Sequence, residues 1–93
     1  MELTESIKDY ATEKLGKIAT ILDGVEPADA RLELGKTTNH HKNGDIFRAE
    51  INLQIPGGVI RAESETGDLY GSIDEAADRL RHQVVKWKEK QAK

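Results

Sequence analysis

From Phe47 to Ile55 the chain alternates without a break: Phe47, Ala49, Ile51, Leu53 and Ile55 are apolar, while Arg48, Glu50, Asn52 and Gln54 are polar. Side chains of an extended strand point to opposite faces with a period of two, so this segment predicts a strand with one buried and one solvated face. Such a strand needs neighbours, and the sequence supplies two. Ala30, Leu32 and Leu34 alternate with Arg31, Glu33 and Gly35, and Ile60, Ala62 and Ser64 alternate with Arg61, Glu63 and Glu65. The stretch Thr37-Thr38-Asn39-His40-His41-Lys42-Asn43-Gly44 is polar and turn-rich, and Pro56-Gly57-Gly58 makes a tight connection. Connections this short join antiparallel strands, which predicts a meander.

On either side of these strands the period lengthens. Ile7, Ala11, Leu15, Ile18 and Leu22 recur in steps of four, four, three and four, one face of a helix. Thr4 suits its N-cap, Glu5 its positive end, and Asp23-Gly24 its termination, with Pro27 preventing quick resumption. Thr66-Gly67-Asp68 opens a second helix whose apolar line is Leu69, Ile73, Ala77, Leu80, Val84 and Trp87. The order is α-β-β-β-α, an α+β fold with two helices packed on one face of an antiparallel β-meander. The opposite face, with Arg31, Arg48, Glu50, Arg61 and Glu63, is expected to be solvated. Residues 1–93 suffice for a single domain.

No apolar run approaches the roughly 18 residues of a membrane span, and there is no cysteine. Small exported domains often carry disulfides, so their absence favours the cytoplasm. The net charge of -3 does not advertise a nucleic-acid binder, but its distribution does. Asp68, Asp74, Glu75 and Asp78 occupy the segment from 68 to 78 with no base among them. From Arg79 to Lys93 there are six bases (Arg79, Arg81, Lys86, Lys88, Lys90, Lys93) against Glu89 alone. A local field of that kind attracts phosphate even on an acidic molecule.

At 100° per residue Arg79, Lys86, Lys90 and Lys93 fall in one sector beside the buried line, with His82 close to it, while Arg81 and Lys88 point elsewhere. Lys14 and Lys17 are one turn apart on the first helix. Side by side, the two helices would form a single basic groove for a phosphate backbone. The plain alternative is a solvated helix face whose bases complement the C-terminal dipole. His40-His41 is a poor metal pair, because adjacent side chains diverge and no cysteine accompanies them. No nucleophile sits in a recognisable elbow and no glycine-rich phosphate loop precedes a helix, so neither an enzyme nor a cofactor is expected. Trp87, on the apolar line, is expected at the core or its edge rather than stacked on a base.

Several stretches, in order, resemble the ribosome hibernation-promoting factor and ribosome-associated translation inhibitor family, also labelled sigma-factor modulation proteins. They are Leu3-Thr4-Glu5-Ser6-Ile7, Lys14-Leu15-Gly16-Lys17-Ile18, His40-His41-Lys42-Asn43-Gly44-Asp45-Ile46-Phe47-Arg48-Ala49-Glu50, Arg61-Ala62-Glu63, Asp68-Leu69-Tyr70, Ile73-Asp74 and Lys86-Trp87-Lys88-Glu89-Lys90. The resemblance implies a β-α-β-β-β-α fold with two parallel helices on a four-stranded sheet. It also implies binding to rRNA in the small-subunit channel where mRNA and the A- and P-site tRNAs sit, blocking initiation and stabilising idle ribosomes. Carried over by position, the rRNA-facing bases are Lys14, Lys17, Arg79, Lys86 and Lys90, with His82 where the family usually has arginine.

The resemblance also implies a strand ahead of the first helix, yet Met1 precedes Leu3-Thr4 almost directly. Either the chain is truncated or misassigned at its start, or Ala30–Leu34 is left as a bare edge, open to pairing in a homodimer. With Lys93 as its last residue the chain resembles the short type, or the N-terminal domain alone. Two other readings fit the same element order. One is a double-stranded-RNA-binding-like module, which lacks support because Asp68 to Asp78 is acidic where that module is basic. The other is a protein-interaction domain acting through the strand edge.

Overall fold

The Thr4 hydroxyl oxygen accepts the Ile7 N–H at 3.2 Å and so satisfies one of the free donors that begin every helix. From it runs α1 (Glu5–Ile21), followed by β1 (Asp29–Asn39), β2 (Gly44–Ile55), β3 (Gly58–Thr66) and α2 (Leu69–Gln91). This is a computed structural model that describes residues 3–39 and 44–91. His40, His41, Lys93 and Met1 lie outside those residues. At the second helix the Asp68 carboxylate accepts the Gly71 N–H at 3.0 Å, the cap expected there. Ser72, fully buried, then ties the start of α2 to the sheet: its hydroxyl donates to the Phe47 carbonyl at 2.7 Å and accepts the Thr66 N–H at 3.1 Å.

The three strands form one antiparallel sheet in the order β1-β2-β3. Its register aligns Leu32 with Ile51 and Ala62, Leu34 with Ala49 and Ser64, and Ala30 with Leu53 and Ile60. Those rows make one face apolar, and both helices lie on it. Ile51, Leu53, Ile73, Leu80 and Val84 are withdrawn from solvent entirely, with Trp87 packed at the margin as expected. Ile55 pairs with Gly58, so Pro56 and Gly57 alone make the turn. The φ of +87° at Gly57 is one that a side chain would oppose, while proline presets the preceding residue.

Three details differ from the sequence reading. Thr37, Thr38 and Asn39 continue β1 instead of starting the loop, pairing with Ile46, Asp45 and Gly44. Threonine is polar but β-branched, and here its strand preference wins. Glu50, expected in solvent on the outer face, is only 8% exposed because Arg48 and Arg61 close over it from both sides. Ala30, expected on the inward face of its strand, is exposed. The sheet gives β1 a neighbour on one side only among the described residues, and an apolar trough lined by Leu3, Ile7, Ala11 and Leu15 with Ala30 and Leu32 runs beside it.

Ile51 sits at the centre of the apolar face, so Ile51→Ala should cost about 2–5 kcal/mol in urea or thermal unfolding. Val59→Ala, at a site 56% exposed, should change stability by no more than about 0.5 kcal/mol. Equal losses from the two substitutions would place the core elsewhere.

Candidate nucleic-acid interface

Where the two helices meet, α1 sends two side chains to one carboxylate of α2. The Tyr10 hydroxyl donates to Asp74 Oδ1 at 2.6 Å, and Lys14 Nζ lies 3.2 Å from the same oxygen. Tyr10 also meets Tyr70 edge-on at 4.8 Å, and the Lys14 ammonium stands 5.3 Å from the Tyr10 ring centre. Farther along, Lys88 Nζ donates to the Ile21 carbonyl at 2.7 Å. That contact puts a cation at the end of α1, whose own last turn has no base. Residue 10 opposite 74 and residue 21 opposite 88 mean that the helices run parallel. The hydrogen bond from Tyr10, with Lys14 adding to it, holds Asp74 below the usual carboxylate range against the opposing effect of burial. Its hydrogen bond to Asp74 raises Lys14, and the same partner raises Tyr10.

The groove between the helices is lined by Lys14, Lys17 and Arg81 together with Asp74, Asp78, Ile18 and Ala77. Arg81 Nη2 lies 3.3 Å from Asp78 Oδ1, and His82 Nδ1 lies 3.7 Å from Asp78 Oδ2. Arg79 leaves in another direction. Its Nη1 donates to the Glu63 carbonyl of β3 at 2.6 Å, and Gln83 one turn on reaches the Arg61 carbonyl at 3.1 Å. At 100° per residue Lys86 and Lys90 project within about 20° of Arg79.

The bases therefore form two rows. Lys14 and Lys17 of α1 meet Arg81 of α2, with Lys88 farther along the same flank; Arg79 reaches β3, and by helical angle Lys86 and Lys90 share its side of α2. His82 stands on the crest between them. Of the bases read from sequence, the structure brings Lys14 and Lys17 into one groove and sets Arg79, Lys86 and Lys90 across the crest of α2. It adds Arg81 and Lys88, which the sequence reading turned away from α1. Their helical angle was available, but not the side on which α1 lies.

The other face of the sheet handles its charges internally. Arg48 pairs with Glu50 at 3.3 Å, with Glu65 at 4.0 Å and closely with Glu63. Arg61 lies 3.6 Å from Glu50 and donates to Asn52 at 2.7 Å. The hydrogen bond to Glu63 raises Arg48, opposed by desolvation. With Asp29, Glu33, Glu50, Glu63 and Glu65 against Arg31, Arg48 and Arg61, this face carries more acids than bases. Among the described residues no group of three or more His, Cys, Asp or Glu is arranged for a metal, and no helix is long and apolar enough to cross a membrane.

Asp74→Asn should lower stability at neutral pH by on the order of 1 kcal/mol, allowing for its 45% exposure, or about 4–8 °C in Tm. Because folding lowers the Asp74 pKa, that contribution is complete above the usual carboxylate range, near pH 4, and is lost as pH falls through the depressed value. Melting curves of the two proteins should thus converge on acidification. A gap independent of pH would show that the charge of Asp74 does not matter.

The profile of the family described as Sigma 54 modulation protein / S30EA ribosomal protein matches residues 1–92. A ribosome hibernation promotion factor of Deinococcus radiodurans is 35% identical over 88 residues, which are 95% of this chain and 44% of that protein. The chain thus spans less than half of that relative. A ribosome hibernation promoting factor of Pseudomonas putida is 34% identical over 91 residues, covering 98% of this chain and 81% of that one. The crystal structure of the Thermus thermophilus Protein Y N-terminal domain superposes with a TM-score of 0.69 at 32% identity, covering 94% of this chain and 88% of its own. A ribosomal subunit interface protein from Coxiella burnetii shares the fold, with a TM-score of 0.72 at 20% identity, covering 96% of this chain and 89% of its own. The chain belongs to the Sigma 54 modulation protein / S30EA ribosomal protein family.

Proposed function

We propose that this domain binds the small ribosomal subunit through the outer surface of its two-helix layer and silences translation by filling the channel used by mRNA and tRNA. The observation that carries this reading is the gathering of bases from both helices on one layer, Lys14, Lys17 and Arg81 at the groove and Arg79 on the far flank of α2, whereas the arginines of the outer sheet face are held by its own acids. Relatives named as ribosome hibernation factors supply the partner. In this reading Lys14, Lys17, Arg79, His82, Lys86 and Lys90 face rRNA, joined by Arg81. The crest of α2 enters the RNA surface with a basic row on either flank. Such contacts recognise phosphate and shape, which suits folded RNA whose deep major groove side chains cannot read. Inhibition then needs no reaction, because occupancy suffices.

Pelleting with purified small subunits at two salt concentrations tests this reading. The Lys86→Glu/Lys90→Glu double variant should lose binding and inhibition of cell-free translation, and its salt slope should fall by about two. Both lysines are exposed, so its stability should stay within about 0.5 kcal/mol of the parent. Undiminished binding of the double variant at moderate salt would overturn the assignment.

Among the described residues β1 has a neighbour on one side only, which supports a second contact, pairing of two copies through Ala30–Leu34. Centred on Leu32, antiparallel pairing sets Arg31 of each copy opposite Glu33 of the other on the solvent face. Sedimentation equilibrium should then give a dimer that Arg31→Glu weakens and Arg31→Glu/Glu33→Arg restores. A monomer at every concentration would refute the pairing.

A further inference from the structure

The groove between α1 and α2 does not present its cations freely. Asp74 and Asp78 line it beside Lys14, Lys17 and Arg81. Asp74 has work in the fold, since it joins Tyr10 and Lys14 across the helix pair. Asp78 has no comparable task. It lies near the middle of α2, too far from the N-terminus to serve the helix dipole, and its ion-pair partners among the described residues are Arg81 and His82 on its own helix. Asp78 is 59% exposed and both partners are exposed, so these pairs are cheap to break and add little to the fold.

We propose that Asp78 is a specificity-determining residue of the RNA-binding surface, holding Arg81 at the rim of the groove and withdrawing its charge from indiscriminate phosphate binding. The inference rests on the ribosome-binding reading above. A bare phosphate chain that approaches Arg81 must either displace Asp78 or sit beside its negative charge. A partner is thus selected partly by a penalty placed on the wrong ones. A folded RNA surface can offset the penalty, because sugar hydroxyls and base amino groups can donate to the Asp78 carboxylate while a phosphate takes Arg81.

Asp78→Asn keeps the size and removes the charge. Glu65→Gln makes the same change in net charge on the opposite, outer face of the sheet, where Glu65 is exposed and away from the β1 edge. Binding of both variants and the parent is measured against a bare RNA duplex and against small subunits across a salt series, with melting curves to confirm folding. Asp78→Asn should tighten duplex binding and steepen its salt slope by about one, as one more base becomes free for phosphate. Subunit affinity should rise by a smaller factor, so that the preference for subunits over duplex falls, and Glu65→Gln should change neither. The proposal is overturned if duplex binding of Asp78→Asn is unchanged, if Glu65→Gln tightens it equally, or if both ligands gain by the same factor. Should the parent fail to bind subunits at all, the ribosome reading falls, and the duplex arm still decides whether Asp78 screens the groove.

Discussion

A three-stranded sheet with only one apolar face leaves its helices no choice of side. The rows Leu32–Ile51–Ala62 and Leu34–Ala49–Ser64 are the cover available to Ile7, Ile18, Ile73, Leu80 and Val84, so both helices must lie on that face. Once there they are neighbours, and their polar sides merge into a single exposed layer. The sheet's remaining face has no helix over it and must satisfy its own charges, which Arg48 and Arg61 do by closing over Glu50. That the exposed bases of both helices share one layer, apart from the self-paired face of the sheet, thus follows from where the apolar residues fall.

Within the helix layer, Asp74 decides how the two helices sit against each other. Hydrophobic contact between helices is non-directional and permits sliding. A carboxylate that receives a phenol and an ammonium from the same neighbour does not. The arrangement has a second effect, since it commits part of the charge of Lys14 to the fold. Binding strength on this surface therefore depends on how each base is already engaged as well as on how many there are.

Much of the fold was legible because apolar periodicity maps directly onto burial. The line Ile7-Ala11-Leu15-Ile18-Leu22 and the alternation from Phe47 to Ile55 correspond to α1 and β2, and Thr4 and Asp68 cap the helices as their side chains suggest. Where two preferences compete in one residue the pattern was ambiguous, as at Thr37 and Thr38, polar enough for a loop and branched enough for a strand. Glu50 was misplaced because alternation gives the face a side chain takes, not how far its neighbours lean over it. The candidate site was half legible for a geometric reason. A helical wheel is symmetric about its buried stripe, so it shows bases on two flanks without showing which flank adjoins the other helix. Only the contacts of Arg79 with β3, of Arg81 at the groove and of Lys88 with α1 resolve that symmetry.

Lys88 lends its ammonium to the Ile21 carbonyl, while Leu22 and Asp23 close the same turn through the carbonyls of Ile18, Ala19 and Thr20. An anion that captured this ammonium would return one carbonyl to water and leave those backbone bonds in place. The end of α1 can therefore give up its cross-helix partner to a ligand at the cost of a single exposed hydrogen bond.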